Sequence, residues 1–136
     1  MKVLFVGANP SRHNTEARIA FAGTKSGKVL LSWISALGIR DYKLINLIDD
    51  IKPKLTKSDL IKGAKRVKMA QFEFDMIIAL GNDAAEACKL AKVNCIKLPH
   101  PSPSNRILND KQHVKKLLHE TKLLLLSIEG LRIGTV

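Results

Sequence analysis

Apolar runs that stop abruptly at turn residues alternate along this chain with stretches whose apolar positions recur every three to four residues. The first run, KVLFVGA at 2–8, is almost continuously apolar and ends in Gly-Ala-Asn-Pro, the pattern of a buried strand feeding a turn. Over 26–37, SGKVLLSWISAL, the residues Val29, Leu30, Trp33, Ile34 and Leu37 fall at helical spacing, and Gly38 suits a left-handed stop. YKLINLI at 42–48 predicts a second strand. TKSDLIKGAKRVKMAQ at 56–71 predicts an amphipathic helix, with Thr56 as N-cap and Asp59 completing a variant of the capping box. MIIALG at 76–81 predicts a third strand, after which Asn82 and Asp83 cap the helix DAAEACKLA. NCIKLP at 94–99 predicts a fourth. A long helix is expected from Asn109 to about Ser127, with Gly130 beyond it and LRIGTV as a small edge strand or loose tail.

The order β-α-β-α-β-α-β-α with apolar strands implies an α/β fold of three layers, with helices on both faces of a four-stranded, mostly parallel sheet. A length of 136 residues suits one domain spanning 1–136, and no repeat, low-complexity tract or linker interrupts it. Apolar residues make up 46% of the chain, which argues against disorder. Lys2 leads straight into the first strand rather than into a signal-peptide pattern, and Lys and His interrupt the apolar runs near the C-terminus. Neither secretion nor a membrane span is therefore expected. Cys88 and Cys95 cannot hold a zinc or iron–sulfur site alone, and a reduced, cytoplasmic setting is the expectation. Charge changes the picture most. Lys and Arg number 23 against 12 acidic residues, a formal +11, and so basic a domain attracts polyanions because each phosphate contact releases counterions. Nucleic acid is the default partner.

In an open parallel sheet, ligands bind where loops gather beyond the carboxyl ends of the strands. Four segments meet that condition: GANPSRH, the stretch from Asn46 to Asp50, GNDA, and PHPSPSNR. In the first, Gly7 permits a sharp turn or a close approach, Asn9 offers an amide and Pro10 restricts the backbone around it. In LPHPSPSNR at 98–106, each of three prolines restricts itself and the residue before it, so Leu98, His100 and Ser102 have few conformations open to them. A histidine so placed can donate to a developing anion, and the serines can bind phosphate. Elsewhere, GTKSGK at 23–28 fails the spacing of a P-loop and reads as a helix N-terminus whose lysines can touch phosphate. Asp49-Asp50 reads as a solvated loop, and Lys62, Lys65, Arg66 and Lys68 read as a solvated cationic helix face. His113 and His119 carry no pattern.

GANPS near the N-terminus and HPSPSN near the C-terminus resemble the two signature motifs of the uracil-DNA glycosylase superfamily. IAFAG at 19–23 resembles that family's segment with the base-stacking phenylalanine. KLINLIDDIKP resembles the strand with its base-reading asparagine, and MIIALGNDAAEA the strand and turn before the second motif. The resemblance covers nearly the whole chain in order. It implies a glycosylase-like fold and an enzyme that flips uracil, or a related deaminated base, out of DNA and hydrolyses its N-glycosidic bond. Under it Phe21 stacks on the base and Asn46 reads its edge. Gly7 and Ala8 complete the base pocket, and backbone N–H groups near Ala8 and Asn9 assist. Asn9 positions the attacking water, and His100 donates to the base O2 as N1 takes negative charge. Ser102 and Ser104 grip phosphates, with Ser11 and Arg106 as further DNA contacts. The implied partner is uracil-containing DNA, single- or double-stranded, bound by a monomer with no metal or cofactor.

Three positions depart from the family's best-known branch. Asn9 stands where that branch has an aspartate and resembles the mismatch-specific and single-strand-selective branches; an amide cannot accept a proton as a carboxylate can. Ser11 replaces a tyrosine that excludes thymine's methyl group, which leaves room for 5-substituted pyrimidines. Ser104 replaces the residue that wedges into the duplex. Arg106, Ile107 or Leu108 is left for that task, unless the substrate is largely single-stranded and needs less wedging. These departures keep a second reading open, a catalytically weak or inactive module on the same scaffold that binds DNA or a protein partner.

Overall fold

Val3, Leu4, Phe5 and Val6 are fully buried in succession, and that run fixes the middle of the sheet. The computed structural model describes residues 1–11 and 20–134. Strand β1 (Lys2–Gly7) pairs with β2 (Asp41–Asn46) on one side and β3 (Met76–Leu80) on the other, and β4 (Ile96–Leu98) extends the sheet beyond β3. The order is β2-β1-β3-β4 and every pairing is parallel, so the sheet expected to be mostly parallel is wholly so.

Alternation along the strands sorts the core into two layers. Leu4, Val6, Ile77 and Ala79 pack with Ala64 and Val67 of α2 (Lys57–Ala70) and Ala84, Ala87 and Cys88 of α3 (Asn82–Leu90). Val3, Phe5, Ile78, Leu80 and Leu98 pack on the opposite face with Leu30, Trp33, Ile34 and Leu37 of α1 (Lys25–Leu37) and Leu125 of α4 (Lys111–Gly134). Helices therefore cover both faces. Because β1 is followed by β2 on one side and neighbours β3 on the other, the chain reverses its winding between β1 and β3. Beyond the carboxyl ends of those two strands lies the crevice where such sheets bind ligands.

Local chemistry accounts for most of the element ends. Gly38 at φ 71° closes α1, as its position suggested. Thr56 and Asp59 form the full capping box that opens α2. Other boundaries differ from those expected. α3 is capped not by Asn82 and Asp83 but by Gly81, whose φ of 91° turns the chain directly from strand into helix. β4 keeps only Ile96–Leu98, because Pro99 has no N–H to donate. The last helix begins at Lys111 rather than Asn109: Arg106–Asn109 form a 3-10 turn, and Asp110 accepts from the His113 N–H at 3.0 Å. It also runs through Gly130 to Gly134, so among the described residues LRIG is helical rather than the edge strand or loose tail expected for LRIGTV; Thr135 and Val136 lie outside them. Glu129, paired with the Met1 ammonium at 3.6 Å, ties the late turns of this helix to the start of β1.

Arg66 also departs from expectation. It does not stand free on a solvated face but donates to the Asn46 carbonyl at 2.9 Å and to Asp49 at 3.1 Å, tying α2 to the end of β2. One turn away, Gly63 lets α2 press against the segment after β2: a methyl group there would lie 2.5 Å from Leu47 Cβ, an atom that cannot swing aside. Gly63→Ala sets a helix-propensity gain of about 1 kcal/mol against an overpacking cost of about 1–3 kcal/mol. The variant should unfold at lower denaturant than the parent. An unchanged or raised midpoint would show that α2 can shift.

Candidate active site

The carboxyl end of β1 is where the polar residues converge. Gly7 pairs in register with Asn46, and a methyl group on Gly7 would lie 2.7 Å from Asn46 Oδ1 and 2.8 Å from Phe21 Cζ. Two loops and a strand end thus close on one spot that only glycine leaves open. Asn46 is 6% exposed, yet no described residue hydrogen-bonds its side-chain amide. Its backbone is occupied instead, with the carbonyl held by Arg66. Ala8 contributes its carbonyl, which accepts from the Leu47 and Ile48 N–H groups at 3.0 and 3.3 Å and binds the two loops together.

Phe21 occupies left-handed backbone at φ 64°, a conformation that costs a bulky residue about 1–3 kcal/mol and persists only where the surroundings dictate it. They do so from α1. The Phe21 carbonyl accepts from the Thr24 N–H at 3.3 Å and from the Thr24 hydroxyl at 2.9 Å. Thr24 in turn caps the helix by accepting from Gly27, and a methyl on Gly27 would stand 2.4 Å from the Phe21 carbonyl oxygen. The ring ends 6.0 Å from that of His100, inclined at 45°.

His100 leans over the end of β3. Gly81 makes room, since a methyl there would lie 3.2 Å from His100 Cβ. Fully buried Pro101 anchors the loop, and the Asn105 amide donates to the His100 carbonyl at 2.9 Å. The Ser102 N–H donates to His100 Nδ1 at 3.0 Å. A nitrogen that accepts cannot also carry the proton, so the neutral ring bears its hydrogen on Nε2. Burial lowers the His100 pKa below its ordinary 6.5, against a weaker upward pull from the Asp83 carboxylate, so the ring is neutral at pH 7.

Asn9 turns the other way. Its Nδ2 donates to the carbonyls of Asp50 and Lys52 at 3.0 and 2.8 Å, which leaves Oδ1 as its remaining polar atom. Beside these residues runs a groove of about 660 Å³ lined by Ser11, Thr24, Lys25, Ser26, Ser102 and Ser104, among others. Ser102 Oγ and Ser104 Oγ lie 2.8 Å apart within it. The helix N-terminus read from GTKSGK therefore faces the same space as the serines of both motifs.

The structure thus brings Gly7, Ala8, Asn9, Phe21, Asn46 and His100 to one end of the sheet, with Ser11, Ser102 and Ser104 alongside. Arg106 is exposed on the 3-10 turn and is not part of the groove lining. Of the other wedge candidates, Leu108 is half-buried against the core, whereas Ile107 is half exposed. Arg12 and His13 of the first motif, and Ile19 of IAFAG, lie outside the described residues. Thr24, Gly27, Gly81 and Asn105 were not singled out from sequence as supports of the site. A threonine just before an apolar helical face signals a cap, but nothing local connects it to Phe21.

Fold and site together define an α/β protein that gathers a ring, two amides and an imidazole at the strand ends by the switch point of a parallel sheet, with a polar groove beside them. The family model of the uracil DNA glycosylase superfamily matches residues 1–122, and the chain belongs to that superfamily. It is thereby one of the DNA glycosylases, hydrolases of DNA repair whose partner is DNA. No match is found among curated proteins.

The His100 arrangement has a measurable pH signature. Nitrogen-15 NMR should show the Nε2–H tautomer and a titration midpoint below 6.5. The unfolded chain then takes up the proton first as pH falls. Stability should be level above 6.5 and decline through the lowered midpoint, by about 1.4 kcal/mol for each unit of lowering. A midpoint at or above 6.5 would contradict the burial described.

Proposed function

We propose that this protein excises uracil, or a closely related deaminated base, from DNA by hydrolysing the N-glycosidic bond of a flipped nucleotide. The observation that carries the reading is the close approach of Phe21 and Asn46 above Gly7, with the His100 ring 6.0 Å from that of Phe21 and Asn9 in the loop that leaves the same strand end. Taking the nucleotide out of the stack costs a few kcal/mol, and the pocket returns it through stacking and edge contacts. Phe21 offers a ring face to the base. The unoccupied amide of Asn46 matches a pyrimidine edge with one carbonyl and one N–H, donating to the first and accepting from the second.

Cleavage leaves the bonding electrons on the base, with charge shared between N1 and O2. In this reading His100 stabilises that anion by donating from Nε2 while remaining neutral, because Nδ1 is already committed to the Ser102 N–H. Asn9 Oδ1 accepts from the water that adds to the sugar carbon, fixing its direction; the proton that water sheds passes to solvent, from which the released base anion is protonated. Ser11, Ser102 and Ser104, with Lys25 and the start of α1, receive the flanking phosphates. The formal +11 of the chain draws the strand in.

The test is a panel of single- and double-stranded oligonucleotides carrying uracil, 5-substituted uracil, hypoxanthine or xanthine, followed by alkali cleavage at the abasic site. Uracil should be released. His100→Ala and Asn9→Ala should each slow single-turnover release by about 100-fold or more, in variants that still unfold in one cooperative transition. Salt-sensitive DNA binding that ignores both uracil and His100→Ala, without release of any base, would instead establish a binding module on this scaffold.

A further inference from the structure

Asn9 sits in the loop after β1, yet what fixes its side chain comes from 41 and 43 residues further on, the carbonyls of Asp50 and Lys52. Those carbonyls belong to the segment between β2 and α2, which has neither ladder nor helical bonds to hold it in place. Beyond the Leu47 and Ile48 N–H bonds to the loop after β1, two side-chain ties hold it. At its start Arg66 grips Asp49 and the Asn46 carbonyl. At its far end Lys52 Nζ lies 2.8 Å from Asp59 Oδ2. The same carboxylate oxygen accepts the Thr56 N–H at 2.8 Å, and the Asp59 N–H returns a bond to the Thr56 hydroxyl at 3.2 Å. The capping box alone would satisfy Thr56 and open α2; it does not require Lys52 to fold back onto Asp59.

We propose that Lys52 and Asp59 are positioning residues for Asn9: their ion pair clamps the segment whose two carbonyls hold the Asn9 amide, so that Oδ1 is presented to the pocket. The role rests on the reading of Asn9 as the group that orients water. The residue whose ammonium is anchored is the one whose own carbonyl makes the shorter bond to Asn9, so fixing its side chain fixes the acceptor. The hydrogen bond from Lys52, followed by that from the Thr56 N–H, holds the Asp59 carboxyl down at about 2, so it stays a carboxylate at any pH where the enzyme would work. The clamp also dictates the chemistry of position 9. Two carbonyl oxygens accept only from a donor pair, which an amide has and a carboxylate lacks. Asn9→Asp would set like partial charges together, and the segment would have to move or the carboxyl take up a proton.

The clamp is read directly from solvent exchange of the Asn9 side-chain protons by nitrogen-15 NMR, with the signals assigned as the pair lost in Asn9→Ala. Lys52→Met and Asp59→Asn should each speed that exchange about tenfold, whereas Lys52→Arg should stay within about twofold of the parent. Asp59→Asn retains a side-chain oxygen for Thr56, so the start of α2 survives. Unchanged exchange in both disabling variants would overturn the proposal. In single-turnover assays at saturating uracil-containing DNA, the same two variants should slow release about tenfold, and cause no further loss in an Asn9→Ala background. Equal losses with and without Asn9 would make the ion pair merely structural and overturn the proposal as well. If Asn9→Ala itself leaves release unchanged, the catalytic reading of Asn9 fails, while the exchange measurement still decides the clamp.

Discussion

The arrangement of the site depends on β1, the most deeply buried strand, ending in a residue without a side chain. Gly7 lies directly opposite Asn46 in the parallel ladder, and the space a methyl would fill is bounded by the Asn46 amide and the edge of the Phe21 ring. Any other residue would push both away. The buried run from Val3 to Val6 holds this gap at a fixed height above the sheet, so groups arriving from three loops are referred to one rigid point. That point coincides with the reversal of winding between β1 and β3, where a parallel sheet necessarily parts its helices.

Each polar group around the gap is fixed by a contact that uses up one of its two ends. Asn9 donates through Nδ2 and keeps its oxygen, and His100 accepts at Nδ1 and keeps its Nε2 hydrogen. Asn46 is held through its backbone and keeps the whole amide. The pocket is thereby given a defined set of donors and acceptors before any ligand arrives, which is the condition for electrostatic stabilisation without reorganisation. No charged side chain is needed at the gap itself; the basic charge of the chain acts at longer range, on the phosphates.

Most of the architecture was legible along the chain because it depends on short-range rules. The continuous apolar run of β1, the helical spacing of Val29 to Leu37 and the Thr56–Asp59 box each specify their element locally. The site was legible to the extent that its residues sit in punctuated loops at strand ends, as with Asn9 and His100. What stayed hidden depends on distance in the fold. Lys52 meets Asn9, Arg66 meets Asn46, and Gly81 meets His100 only once the sheet is assembled, and no spacing along the chain announces such pairs. The extent of α4 was missed for a different reason: Gly130 usually marks an end, but here its backbone stays helical through Gly134 with no atom crowding it.

The first turn of α1 serves two masters. Thr24 and Gly27 hold the left-handed backbone of Phe21, while Thr24, Lys25 and Ser26 form one bank of the groove. Divergence at this turn is therefore coupled: a substitution that suits a different nucleic-acid strand also rotates the ring that receives the base. A lineage of this protein cannot change what it holds and what it stacks independently here. New preferences would have to arise first on the opposite bank, at Pro103 and Ser104, because Ser102 beside them also holds His100.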